Sequence, residues 1–201
     1  MTRPLAILIS GAPGTGKSSL AAALAPRLRA AVLDLDVATG PLTTVVSGLV
    51  GATDLADPRL AALTRAPRYE TLFALAEENL RAGVPVLLVA PFTAERSAAG
   101  WSMVTDRLAA HAAALTLIWL HLPPPRLVER LRQRGAPRDA EKLRDPAAFL
   151  TTVASEPPAV THLALDATRP VAALANHVLT KLQAPPRPDT TPAATAEPLP
   201  P

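Results

Sequence analysis

The sequence predicts a three-layer α/β domain built on a five-stranded parallel sheet, and three observations carry that prediction. Five short apolar runs recur between residues 5 and 165, each bounded by turn residues. The segments between them have helical pattern, and strands joined by helical crossovers run parallel with both faces covered. The chain has 201 residues, 49% hydrophobic and 18% charged. That length suits one domain, and that balance is the reverse of a disordered chain.

The elements follow in order. Residues 5–9 (LAILI) form a continuous apolar run, as expected of a strand buried on both faces. Glycines interrupt it, and residues 18–29 then read as an Ala/Leu-rich helix. Residues 31–35 form a second strand. Residues 40–66 mix short helical patches with Gly and Pro and read as a partly helical insertion at the sheet edge. Residues 68–81 place Leu72, Leu75, Ala76 and Leu80 on one helical face, with Gly83 as the stop. Strand three is 84–90, a helix spans 94–113, and strand four is 115–122. Pro123 to Pro125 open a helix that ends near Gly135, as proline is tolerated in a first turn. Strand five is 159–165 and the last helix 171–182. The domain is expected over 1–183, and residues 184–201, rich in Pro, Thr and Ala, read as a disordered tail.

Composition excludes several chemistries. The chain lacks cysteine, which removes disulfides, thiolate metal sites and a Cys nucleophile. A net charge of +3 with 3% aromatics is poorly suited to nucleic acid. No apolar run approaches the roughly 18–20 residues of a membrane span, and no signal peptide is evident. A cytoplasmic protein is expected. His111, His121, His162 and His177 lack metal-ligand spacing, and Trp101 and Trp119 read as core residues.

The strongest signal is Gly11-Ala12-Pro13-Gly14-Thr15-Gly16-Lys17-Ser18, which matches G-x-x-x-x-G-K-[ST] between a strand and a helix. Glycines let the backbone curl until its N–H groups face phosphate oxygens, and the helix N-terminus adds its positive end. The loop through Ser19 is the expected nucleotide site. Lys17 suits the β- and γ-phosphates, and the Ser18 hydroxyl suits Mg²⁺. The bland alternative is a glycine turn that happens to match.

Asp34 and Asp36 close the second strand. Period-two geometry places both on one face at the carboxyl edge of the sheet, where ligands of open α/β sheets bind. One carboxylate near Mg²⁺ and one near an attacking hydroxyl would serve phosphoryl transfer. The alternative is a solvated strand end.

With loop and D-x-D together, the chain resembles the small-molecule kinases of the P-loop superfamily: shikimate kinase, gluconate kinase, chloramphenicol phosphotransferase and proteins labelled AAA-type ATP-binding. The resemblance covers most of residues 5–182, and the phosphate loop is its specific part. It implies the P-loop NTPase fold in its nucleoside-monophosphate-kinase-like form, with a basic lid. It also implies ATP and Mg²⁺ as cofactors, Asp34 in the Mg²⁺ shell and Asp36 beside the substrate hydroxyl.

Residues 126–144 hold seven basic and three acidic side chains. The segment resembles the lid of these kinases, about 134–146. By that likeness Arg134 would lie on adenine and Arg138 on the transferring phosphoryl group, with Arg130 or Lys142 as exchangeable candidates. A solvated basic helix is the alternative.

On the acceptor side, Arg65, Arg68 and Glu70 begin the third helix, where family members bind substrate; a surface ion pair is equally consistent. Phe92, in Ala90-Pro91-Phe92-Thr93, walls a pocket or packs in the core. Shikimate kinase has a glycine triplet at this place and this chain does not, which argues against shikimate. Strand three does not end in an Asp, so the usual carboxylate of mechanical ATPases is missing. That favours transfer over hydrolysis, with Asp34 as the substitute. Residues 166–170 resemble the adenine-side loop. The implied activity is ATP-dependent phosphorylation of a small-molecule hydroxyl. The alternatives are a 5′-hydroxyl polynucleotide kinase and a nucleotide-dependent switch with little turnover.

Overall fold

Residue Ile7 faces one helical layer and its neighbour Leu8 faces the other, and this alternation organises the molecule. The computed structural model describes residues 4–52, 57–111, 114–136, 139–153 and 156–183. Strands β1 (Ala6–Gly11), β2 (Ala31–Asp34), β3 (Val86–Val89), β4 (Leu115–His121) and β5 (Leu163–Asp166) form one sheet in the order β2-β3-β1-β4-β5. All four pairings are parallel. Strand β1 is central and buried throughout, which is why its sequence is apolar without alternation.

The helices are α1 (Lys17–Leu28), α2 (Leu35–Val50), α3 (Pro58–Arg81), α4 (Ala98–Ala109), α5 (Pro124–Arg134), α6 (Ala140–Arg144), α7 (Pro146–Thr152) and α8 (Val171–Gln183). Ile7, Ile9, Leu87, Ile118 and Leu120 pack against Leu20 and Leu24 of α1 and Val178 of α8. The opposite face, with Leu8, Val86 and Leu88, packs against Leu72, Phe73 and Ala76 of α3 and Val104 and Leu108 of α4. Each buried leucine on these faces contributes about 1.5–3 kcal/mol of transfer free energy.

Strands and late helices fall within a few residues of expectation, but three places differ. Strand β5 begins at Leu163, four residues after the expected start. Residues 40–66 are not built of short helical patches: residues 40–50 belong to the long helix α2 and residues 58–66 to the long helix α3. Helix α2 starts at once after β2 because Asp34 caps it, its carboxylate accepting from Asp36 N. Helix α3 starts ten residues before the expected Arg68. Asp57 caps it through Arg59 N and Leu60 N, and it continues through the exposed Pro67. Trp101 is half-buried against the α3–α4 layer, and Trp119 sits between the rings of His121 and His162. The expected tail, 184–201, lies outside the described residues. No helix among the described residues is long and apolar enough to cross a membrane.

Candidate active site

The carboxyl end of β1 runs directly into the glycine loop. Gly11 adopts φ 144°, and a Cβ there would lie 2.5 Å from Leu120 O, so the loop leaves the sheet where only glycine fits. Gly14 and Gly16 also have positive φ, at 86° and 91°. Gly16 precedes α1 in the left-handed region, and no side chain caps the helix. The first N–H groups of α1 are thereby left for an anion. Thr15, almost fully buried, ties the loop to itself through Oγ1 to Ala12 O at 2.9 Å. Lys17 Nζ donates to Gly11 O (2.8 Å) and Ala12 O (3.0 Å), folded over the cradle that a phosphate would enter. Glycine conformation, uncapped helix and lysine together fit a nucleotide phosphate chain.

Ser18 Oγ donates to Asp34 Oδ2 at 2.7 Å. This all-oxygen pair at the mouth of the loop fits a hard divalent cation such as Mg²⁺. Asp36 is not on the strand, as period-two geometry required; it lies in the first turn of α2. Helix capping by Asp34 takes the chain out of the strand before Asp36 is reached. Asp36 Oδ1 instead accepts from Arg68 Nη2 at 2.7 Å, while Arg68 Nε donates to Thr39 Oγ1 at 2.8 Å. Arg68, expected on the substrate side, is therefore a brace between α3 and the Asp36 carboxylate.

The basic segment contains a buried carboxylate. Asp139 is 1% exposed and takes both Arg134 Nε (2.8 Å) and Arg134 Nη2. Lys142 Nζ lies 3.6 Å from the same carboxylate. Arg134 is thus committed to the turn after α5, and Arg138 lies outside the described residues. Arg130, one of the two exchangeable candidates, lies beside the phosphate loop. Its Nη2 donates to Ala167 O at 2.6 Å, and its Nη1 is the nearest group to the open side of Gly16. It bridges the phosphate loop and the loop after β5. In that loop Asp166 accepts from Thr168 N and Oγ1, bonds that hold its carboxyl below the ordinary range.

Glu70 does not face the site. Arg107 of α4 grips it through both guanidinium Nη atoms at 2.7 Å and also binds Glu77, with Nε at 2.6 Å. Phe92 is fully buried, with its ring edge-on to Tyr69 at 5.9 Å. The core-packing alternative holds for it. It takes φ 50°, and its N–H donates to Tyr69 Oη at 3.1 Å. Burial pushes the Tyr69 hydroxyl up to about 12, with the Glu95 charge adding to the effect. Arg65 stacks over Tyr69 and donates to Thr93 Oγ1 at 3.2 Å.

Between these parts a cleft of about 490 Å³ opens beside the phosphate loop. Gly11, Ala12 and Pro13 form one wall, and Pro91, Thr93 and Arg96 form the second. Lys142 of α6 with Phe149 of α7 and Val153 just after it form the third. Ser10 Oγ donates to Pro91 O at 2.8 Å and fastens the second wall to the root of the first. Gly100 shapes the same wall: a Cβ there would lie 2.2 Å from Ala94 O. Among the described residues no cluster of three or more His, Cys, Asp or Glu could hold a metal by itself.

A family model described as the AAA domain matches residues 7–158. A search of curated proteins gives no match. Among solved structures, the APS kinase of Mycobacterium tuberculosis, in complex with AMPPNP and APS, is similar at TM-score 0.62 and 20% identity, over 92% of this chain and 100% of that one. A gluconokinase from Sinorhizobium meliloti 1021 gives 0.57 and 20%, over 90% and 93%. Shikimate kinase from Aquifex aeolicus gives 0.52 and 15%, over 89% and 96%. At such identities the likeness establishes the fold, P-loop NTPase-like with an all-parallel five-stranded sheet.

Proposed function

Because the chain belongs to the AAA-domain family, we propose that it uses its phosphate loop to transfer the γ-phosphate of ATP to a hydroxyl of a small molecule. The observation that carries this reading is the pairing of Ser18 with Asp34 at the loop, with an open cleft of about 490 Å³ lined by Gly11, Ala12 and Pro13 of the same loop. A donor site and an acceptor-sized space thus share one wall. Clefts of this volume suit small ligands.

In this reading the loop amides from Gly11 to Ser19 and the Lys17 ammonium hold the triphosphate. Ser18 and Asp34 would hold Mg²⁺, which would supply charge neutralisation to the triphosphate. Asp36, braced by Arg68, orients the acceptor hydroxyl and takes its proton. The acceptor oxygen bonds to the γ-phosphorus as the bond to the β-bridging oxygen breaks, and ADP leaves with that electron pair. Arg138 stabilises charge on the transferring group when the lid closes. Arg134 reaches adenine only by releasing Asp139, so Arg130 is the better-placed cation along the nucleotide. Closure excludes water, the competing acceptor.

The test is ADP release from MgATP across sets of hydroxyl compounds, with Lys17→Ala as the blank. Stimulation by one set in the wild type alone supports the reading. Tight nucleotide binding without stimulation by any acceptor removes it.

A further inference from the structure

We propose that Arg96 is an anion-binding residue of the acceptor cleft, so that the molecule phosphorylated carries an oxyanion, a carboxylate or a phosphate, besides its reacting hydroxyl. The proposal rests on the kinase reading above for the word acceptor, but the anion site itself stands on geometry.

Arg96 lines the cleft and is only 9% exposed. Its backbone is fixed at both ends, with Arg96 N donating to Phe92 O (3.1 Å) and Ala159 N donating to Arg96 O (3.1 Å). Its guanidinium makes no hydrogen bond and no ion pair within 4.0 Å among the described residues. The guanidinium stays charged, and its nitrogens keep an opening to solvent, so a bound anion would replace water there rather than relieve a sealed charge. Burial disfavours its charge, and the exposed Glu156 offsets this only at a distance.

The other charges of the cleft are already committed. Lys142 lies against Asp139. Glu141 accepts from Arg144 at 2.7 Å. Asp145 caps α7 by accepting from Ala148 N at 2.9 Å. Glu95, the sequence neighbour, turns towards Arg65 at 3.6 Å rather than towards Arg96. Asp145 keeps its charge, because a backbone N–H does not neutralise it, while Arg96 is, among the described residues, the cation of the cleft without an ion pair. Its planar fork matches a carboxylate or phosphate in bidentate geometry. Apolar walls from Phe149 and Val153 raise the strength of such a pair by excluding water.

The experiment uses the full chain saturated with Mg-AMPPNP, which fills the phosphate loop so that added anions cannot bind there. Glycerate, glycerol 1-phosphate and neutral glycerol are titrated by calorimetry at constant ionic strength. The expected result is binding of at least one anion well above glycerol, weakened about thirtyfold or more in Arg96→Gln and partly restored in Arg96→Lys. The two anions separate carboxylate from phosphate recognition. Equal binding to wild type and Arg96→Gln, or no preference for either anion over glycerol, overturns the proposal. Melting curves check the fold, and if Arg96→Gln does not fold, the Arg96→Lys comparison carries the same readout. Phosphorylation of neutral acceptors without anion binding defeats this proposal alone. Anion binding through Arg96 without any phosphoryl transfer defeats the kinase reading alone.

Discussion

Ser18 Oγ and Asp34 Oδ2 lie 2.7 Å apart, although Ser18 opens the helix after β1 and Asp34 ends the edge strand β2. The second oxygen of Asp34 meanwhile caps α2. One carboxylate therefore serves both the site and the fold, and a conservative substitution separates the two roles. Asparagine caps helices about as well as aspartate. Asp34→Asn is expected to melt within a few degrees of wild type while the Mg²⁺ concentration for half-maximal ADP release rises about tenfold. A wild-type Mg²⁺ titration curve would remove Asp34 from the metal site.

Lys17→Ala is expected to abolish phosphoryl transfer with the fold intact, because Nζ donates to the loop carbonyls of Gly11 and Ala12 at 2.8 and 3.0 Å at the surface of the cradle and lies outside the two core clusters. Single-turnover assays with an identified acceptor, beside a thermal melt, check this. Retained transfer would take the loop lysine out of the mechanism.

The Thr39–Arg68–Asp36 chain makes a graded prediction. Asp36→Asn should lower kcat about 10²–10⁴-fold with little change in nucleotide affinity. Arg68→Ala leaves the carboxylate but removes its brace, so a smaller loss in kcat is expected, partly restored by Arg68→Lys. If Asp36→Asn weakens only ATP binding, its role beside the acceptor hydroxyl falls.

Arg107 predicts an acid-sensitive contribution to stability. Its guanidinium hydrogen-bonds Glu70 and Glu77 and holds both carboxyls below the ordinary range, while its own proton is held more tightly than usual. A carboxylate depressed in the folded state stabilises it at pH above the ordinary carboxylate value. That stability is lost as pH falls through the depressed folded value. At neutral pH, Arg107→Met should cost about 1–3 kcal/mol, discounted towards the lower end because Glu70 is mostly exposed. Wild type should lose more melting temperature than Arg107→Met between about pH 7 and pH 3. Parallel losses in the two proteins would rule out this linkage.

The sheet was legible because buried parallel strands need apolar residues on both faces, and residues 5–9 and 84–90 have little else. Helices α2 and α3 were partly hidden by Gly40, Pro41, Gly48 and Pro67, which read as interruptions. In the structure Gly40 and Gly48 are surrounded by open space, and a helix held by packing elsewhere tolerates them. The same hidden helix displaced Asp36 from the strand. The basic excess of residues 126–144 was visible, but charge counting does not show that a single buried Asp139 engages Arg134 and Lys142. Arg96 gave no signal at all, since nothing in pattern distinguishes a buried arginine from a surface one. Its place is set by long-range and turn hydrogen bonds, Arg96 N to Phe92 O and Ala159 N to Arg96 O, that no local pattern announces.

Gly100 lies four residues beyond Arg96, in the first turn of α4, and touches no part of the proposed chemistry, yet its missing side chain admits Ala94 O to 2.2 Å from where a Cβ would stand. Any larger residue there forces the backbone of the 94–97 turn to move, and with it the wall that carries Arg96. A deep mutational scan selecting only for acceptor use should therefore find Gly100 nearly immutable while Gly40 and Gly48 drift freely. The heritable record of ligand preference in this protein would then be written partly at a position that no ligand meets.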